Sequence, residues 1–171
     1  DEKPEDNQFY ARDDKNEGTL YYNGTLSNGA DSVFLKVYAD NALIKTETQK
    51  PSGSNTYAFA VKLKPGLIRY RVEFGTSIGG ADTVMHSVTN IVCGDAYLLD
   101  GQSNTVADNN RGPHGMHKND WIRSFGGMGG GTESGWGTAI AASALGDAYR
   151  IGYWGMALAD RLVKTYGMPI C

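Results

Sequence analysis

Ile91-Val92-Cys93-Gly94-Asp95-Ala96-Tyr97-Leu98-Leu99-Asp100-Gly101-Gln102-Ser103-Asn104 is the stretch on which the reading of the fold turns. Ile91 to Leu99 is largely apolar and is broken by Gly94-Asp95. Its second half is the near-continuous run expected of a strand covered on both faces in a parallel sheet. Asp100 to Asn104 ends the run as a glycine turn. In a parallel α/β sheet, ligands bind where loops leave the carboxyl ends of strands, and this turn sits at such an end. A serine there is exposed, and the start of a following helical turn can aim backbone N–H groups at an anion. Gly101 takes backbone angles that a bulkier residue resists, while Gln102 and Asn104 add side-chain donors. These are parts for attacking an acyl carbon and holding the resulting oxyanion. The same turn also fits an ordinary helix N-cap at Ser103 or Asn104.

Downstream, residues 105–138 read as a long glycine-rich loop, a feature that is usually functional or disordered when it lies inside a compact domain. From Ile151 to Tyr166 the pattern becomes helical, with Ile151, Trp154, Leu158 and Leu162 forming one apolar stripe. Gly167 occupies the place of a left-handed cap, and Pro169 prevents continuation. Met168 to Cys171 then opens a second apolar strand. Strand, turn, excursion, helix and strand make a βαβ opening that stops at the start of its second strand.

Upstream the character is different. Thr19-Leu20-Tyr21-Tyr22, Ser32 to Tyr38, Thr56 to Leu63 and Ile68 to Phe74 are short runs rich in β-branched and aromatic residues, the last two with alternating polarity. Asn28-Gly29, Pro51-Ser52-Gly53 and Pro65-Gly66 punctuate them, and Gly79-Gly80-Ala81-Asp82 precedes a further run from Thr83 to Val88. Short strands at close spacing without intervening helices indicate a small antiparallel sandwich. Residues 1 to about 18 are charged and aperiodic and read as an extended lead-in. The expected organisation is therefore a β-sandwich accessory unit over 1–88 and the first βαβ part of an α/β unit over 89–171.

Composition narrows the function. The formal net charge is -3 with no local Lys/Arg cluster, which argues against a nucleic-acid partner. No apolar run approaches the roughly 18 residues of a membrane span. The sequence starts at Asp1 rather than Met, which is read as a removed signal peptide or a cut, with a secreted or periplasmic location expected. Asn23-Gly24-Thr25 fits a glycosylation acceptor but is more simply a turn. Cys93 and Cys171 each end an apolar run and read as two buried thiols rather than a disulfide.

Val92 to Asn104 closely resembles the first conserved block of the sialate O-acetylesterase-like branch of SGNH hydrolases: a Gly-Asp pair, a short apolar strand, then Gly-Gln-Ser-Asn. Gly135-Trp136-Gly137-Thr138-Ala139, the amphipathic helix and Gly167-Met168-Pro169-Ile170 resemble that family's route to its second strand more loosely, so the likeness spans 91–171. Asp100 and Thr105 depart from the family, which often has a small residue and Met there. The resemblance implies a flavodoxin-like α/β hydrolase, truncated here, that removes acetyl groups from carbohydrate without a cofactor. Ser103 would be the nucleophile and its own N–H an oxyanion donor. A glycine, an asparagine and a histidine base preceded by aspartate would all lie beyond Cys171. The expected partners are an acylated carbohydrate and the missing C-terminal half of the hydrolase unit, without which this chain should be inactive. The alternative is a carbohydrate-binding protein with a hydrolase-like remnant.

Other residues carry weaker signals. His86 reads as a satisfied structural histidine. His114 and His117, with Asp120, have a spacing that could ligate a metal, but no helix fixes the rings, so a solvated or substrate-facing loop is preferred and no metal is expected. Trp154 reads as core. Trp136 is a candidate for stacking on a sugar ring or for packing. Asp120 and Glu133 read as solvated charges.

Overall fold

The computed structural model describes residues 1–100, 119–127, 134–141 and 148–171. Within them the chain is mixed α/β and mostly strand. The elements are β1 (Phe9–Ala11), β2 (Gly18–Thr25), β3 (Ser32–Ala39), β4 (Ala42–Gln49), β5 (Thr56–Leu63), β6 (Gly66–Ile78), β7 (Ala81–Gly94), β8 (Arg123–Gly127), β9 (Ser134–Thr138) and the helix α1 (Tyr153–Tyr166).

Alternation decides which faces are buried. Along β5 the odd positions Tyr57, Phe59, Val61 and Leu63 are buried and the even ones exposed, as a period of two requires. β5 pairs antiparallel with β2, which contributes Leu20 and Tyr22. Opposite lies a five-stranded sheet in the order β1-β7-β6-β3-β4. Its inward rows, Val33-Leu35-Val37 and Tyr70-Val72-Phe74, join the β2–β5 residues in one shared hydrophobic cluster. The rings of Tyr22 and Tyr57 stack on Phe74 with centroids 4.7 and 4.6 Å apart. His86 borders this cluster, its Nδ1 2.8 Å from the Tyr22 hydroxyl, so it is a hydrogen-bonded structural histidine.

Three elements differ from the sequence expectation. The extended lead-in contains a strand that the sequence did not show: Phe9–Ala11 forms β1, parallel to β7 at Val92–Gly94, and Pro4 and Phe9 are buried. Three residues are too few to display a period. β4 is an edge strand exposed along most of its length, so burial imposed no alternation on it. It follows β3 through Asp40-Asn41, both at positive φ (46° and 69°), the geometry of a two-residue hairpin turn. Within the expected 105–138 loop, β8 and β9 form an antiparallel hairpin. Its glycines admit a neighbour: a Cβ on Gly137 would overlap the ring of Tyr149, which itself sits at φ 59°.

A second cluster contains Ile122, Ala139, Met156, Ala159, Val163 and Ile170. The helix starts at Tyr153 after Gly152 and ends at Gly167, which has φ 61° and donates its N–H to Val163 O at 2.8 Å, the expected left-handed cap. Its buried face is Gly155, Met156, Ala159, Asp160 and Val163. The stripe read from sequence is rotated from this face. Trp154 is 38% exposed and not core, and Leu158 is 42% exposed. The small residues Gly155 and Ala159 let the helix approach its neighbours closely, which a reading of large apolar residues overlooks.

The deciding stretch is divided in two. Ile91 to Gly94 completes β7 and is buried. Asp95 then leaves the five-stranded sheet and pairs in parallel with Ile170, which also pairs in parallel with Ile122. Asp95 N–H donates to Pro169 O (3.0 Å), Cys171 N–H to Asp95 O (3.0 Å) and Tyr97 N–H to Cys171 O (2.7 Å). On the other side Ile170 N–H reaches Trp121 O (3.0 Å) and Arg123 N–H reaches Ile170 O (2.8 Å). The parallel βαβ connection is thus present as a short ladder. The expected burial on both faces fails at Leu98, which is 94% exposed.

Candidate functional site

Ser103, Gln102 and Asn104 lie outside the described residues, as do His114, His117 and Glu133. At Gly94 the ladder changes partners, and a Cβ there would overlap Pro169 O and stand 2.8 Å from its carbonyl carbon. Glycine is therefore required by contact with backbone. The next residue, Asp95, receives the Arg12 guanidinium on both carboxylate oxygens, Nε at 2.6 Å and Nη2 at 3.0 Å, the paired geometry that makes arginine–carboxylate contacts directional. The Gly-Asp pair is thus a junction: glycine admits the crossing strand and aspartate ties the exit to β1.

Trp136 projects from β9 between two aromatic rings, with centroids 6.3 Å from Phe9 and 5.1 Å from Phe125. Phe125 is exposed and Trp136 half-buried, so one side of the group packs on β1 while the other meets solvent. Asp120 is exposed and accepts from Arg69 Nη2 at 3.2 Å; the Arg69 guanidinium also lies 4.9 Å above the Trp121 ring. Asn119 is held by Asp160, which accepts from its Nδ2 at 3.0 Å and from Lys164 Nζ at 2.6 Å. Sequence reasoning did not single out Asp160, and a buried acid inside an amphipathic helix was the available signal.

Between α1 and the parallel ladder runs an apolar groove, lined in part by Tyr97, Leu99, Leu158, Leu162, Ile170 and Cys171. The two cysteines are free. Burial pushes the Cys93 thiol up to about 11 and raises that of Cys171, so neither is a thiolate nucleophile near neutral pH. Among the described residues, no group of three His, Cys, Asp or Glu could hold a metal ion, and no helix is long and apolar enough to cross a membrane.

A crystal structure of a carbohydrate acetylesterase from Xanthomonas citri matches with a TM-score of 0.51 at 19% identity, over 97% of this chain. The fold is shared with that esterase. The chain spans 37% of the length of that structure. No protein-family profile matches the chain, and no curated protein does.

Proposed function

We propose that this chain supplies the nucleophile-bearing part of a serine carbohydrate O-acetylesterase of the SGNH type. The fold shared with a carbohydrate acetylesterase over 97% of the chain carries the reading. The Gly94-Asp95 … Gly101-Gln102-Ser103-Asn104 block supports it, because Ser103 follows in sequence a few residues after the segment that pairs in the parallel ladder. In this reading residues 1–88 are a β-sandwich unit and 89–171 open a flavodoxin-like hydrolase unit.

Ser103 Oγ attacks the acetyl carbonyl carbon, and the base takes the hydroxyl proton. The tetrahedral intermediate's oxyanion is held by N–H donors at the turn. The sugar oxygen leaves with that proton, and water then cleaves the acyl-serine to acetate. An unassisted serine hydroxyl is a poor nucleophile; the family resemblance puts the histidine base beyond Cys171, so in this reading further polypeptide supplies it, in this chain's continuation or in a second chain. The apolar groove and the exposed Tyr97-Leu98-Leu99 stretch support this, since they offer the next elements of the sheet an apolar face. Trp136 and Phe125 form the aromatic surface on which a sugar ring would stack, and the protein acts outside the cytoplasm, on acetylated glycans.

The test is acetate release from acetylated xylan and from acetylated sialoside by the intact protein, wild type against Ser103→Ala. Loss of release in the variant, with the thermal transition unchanged, is the expected result. Equal release by both would remove Ser103 from the chemistry.

A further inference from the structure

Residues 4–12 are fastened both to the five-stranded sheet and to the β8–β9 hairpin. On the five-stranded sheet, Asn7 N–H donates to Thr89 O (3.1 Å), Val92 N–H to Gln8 O (3.1 Å) and Arg12 N–H to Gly94 O (2.9 Å). Asp6 Oδ1 accepts from both Thr89 N–H (2.6 Å) and Thr89 Oγ1 (3.1 Å). On the other side Phe9 packs on Trp136.

The centre of this arrangement is Arg123, the first residue of β8, only 1% exposed. Its Nε donates to Asn7 O (3.1 Å), its Nη1 to Asp120 O (2.5 Å) and its Nη2 to Asn90 O (3.2 Å) and Asn90 Oδ1 (3.0 Å). These acceptors are all carbonyl oxygens. Two of the residues that offer them, Asn7 and Asn90, are 83 positions apart, and Asn90 Nδ2 donates to Asn7 Oδ1 at 2.6 Å. Both hold positive φ, 64° and 58°, a conformation that asparagine tolerates better than most residues. The planar guanidinium fork spreads its donors in fixed directions toward three chain segments, a geometry that a compact ammonium does not reproduce. Burial pushes the Arg123 guanidinium down to about 10, so it stays charged at neutral pH and a costly buried cation is retained.

We propose that residues 4–12 are a strap that holds the β8–β9 and α1 layer on the five-stranded sheet, with the Arg123 guanidinium as its fastening point. The N-terminal β-rich unit is then a part that the second cluster needs in order to stay closed, rather than a removable binding module. This inference stands independently of the esterase reading.

Hydrogen–deuterium exchange on the intact protein, read by mass spectrometry, separates the possibilities. Peptides from β3 and β6 report the sheet, and peptides from 119–127 and α1 report the second cluster. For Arg123→Lys, which keeps the charge and loses the fork, protection of α1 and 119–127 is expected to fall tenfold or more while β3 and β6 change less than twofold. Arg123→Met should enlarge the gap, and if that variant does not fold, the lysine variant carries the test. Unchanged α1 protection in Arg123→Lys would overturn the proposal. An equal fall in both sets would also overturn it, because Arg123 would then serve overall stability and not the joint.

Discussion

Gly94→Ala adds a single methyl group at the point where the chain passes from one sheet to the next. The new Cβ would overlap Pro169 O and lie 2.8 and 3.2 Å from the carbonyl carbon and Cα of the same residue. These are backbone atoms, so no side-chain rotation relieves the clash and the 169–171 segment must move away. Three ladder bonds depend on its position: Asp95 N–H to Pro169 O, Cys171 N–H to Asp95 O and Tyr97 N–H to Cys171 O. At about 1 kcal/mol net for each bond, with about 1–3 kcal/mol for overpacking, less about 0.4–1 kcal/mol for the stiffer unfolded chain, the loss is roughly 3–6 kcal/mol. For a chain of this size each kcal/mol shifts Tm by about 2–4 °C, so the melting temperature should fall by roughly 6–24 °C. The assay is urea and thermal unfolding beside Gly29→Ala, whose added Cβ meets nothing within 4 Å and should stay within about 0.5 kcal/mol of wild type. If the two alanine variants were equally stable, the junction argument would be wrong.

Two further outcomes follow from burial. Phe9→Ala removes a buried ring that packs on Trp136 and should cost about 3–4 kcal/mol with a red shift of tryptophan emission; unshifted emission would mean that β1 does not cover Trp136. Alkali should destabilise the protein. The Cys93 thiol is raised from 9.0 to about 11, and burial also raises the Tyr10, Tyr22, Tyr57 and Tyr70 hydroxyls above 10.0. Acids with raised folded values give stability that is complete below the unfolded value and is lost as pH climbs through the folded one. Arg123, a base with a lowered value, works in the opposite sense but is one group against several. The urea midpoint should therefore be level from pH 7 to 9 and fall above it, and a midpoint that rises from pH 9 to 11 would contradict the assignment. Native Cys93 should meanwhile resist iodoacetamide at pH 8, as read by peptide mass spectrometry.

How far the sequence revealed these features depended on what each residue had to satisfy. β5 and β6 were legible because a strand with one buried face must alternate, and α1 was legible at its end because Gly167 and Pro169 stop a helix for separate physical reasons. β1 and β4 were hidden, the first too short to show a period and the second an exposed edge under no burial constraint. The β8–β9 hairpin was obscured by glycines that read as loop but admit the Tyr149 ring. Around the candidate site, the resemblance singled out Gly94-Asp95 without giving a reason for it. The reason is tertiary: a carbonyl from residue 169 and a guanidinium from residue 12 meet there. Arg123 carried no sequence signal, since its acceptors are backbone carbonyls and one amide gathered from distant segments.

The claim that Ser103 is an activated nucleophile is most directly tested by treating the protein, together with the polypeptide that supplies its base, with a fluorophosphonate and mapping the adduct by tandem mass spectrometry. The account predicts one stoichiometric adduct on Ser103, absent from Ser103→Ala and from protein first unfolded in urea. Acetylesterase activity that persists with Ser103 unmodified, or an adduct on another residue, would contradict it.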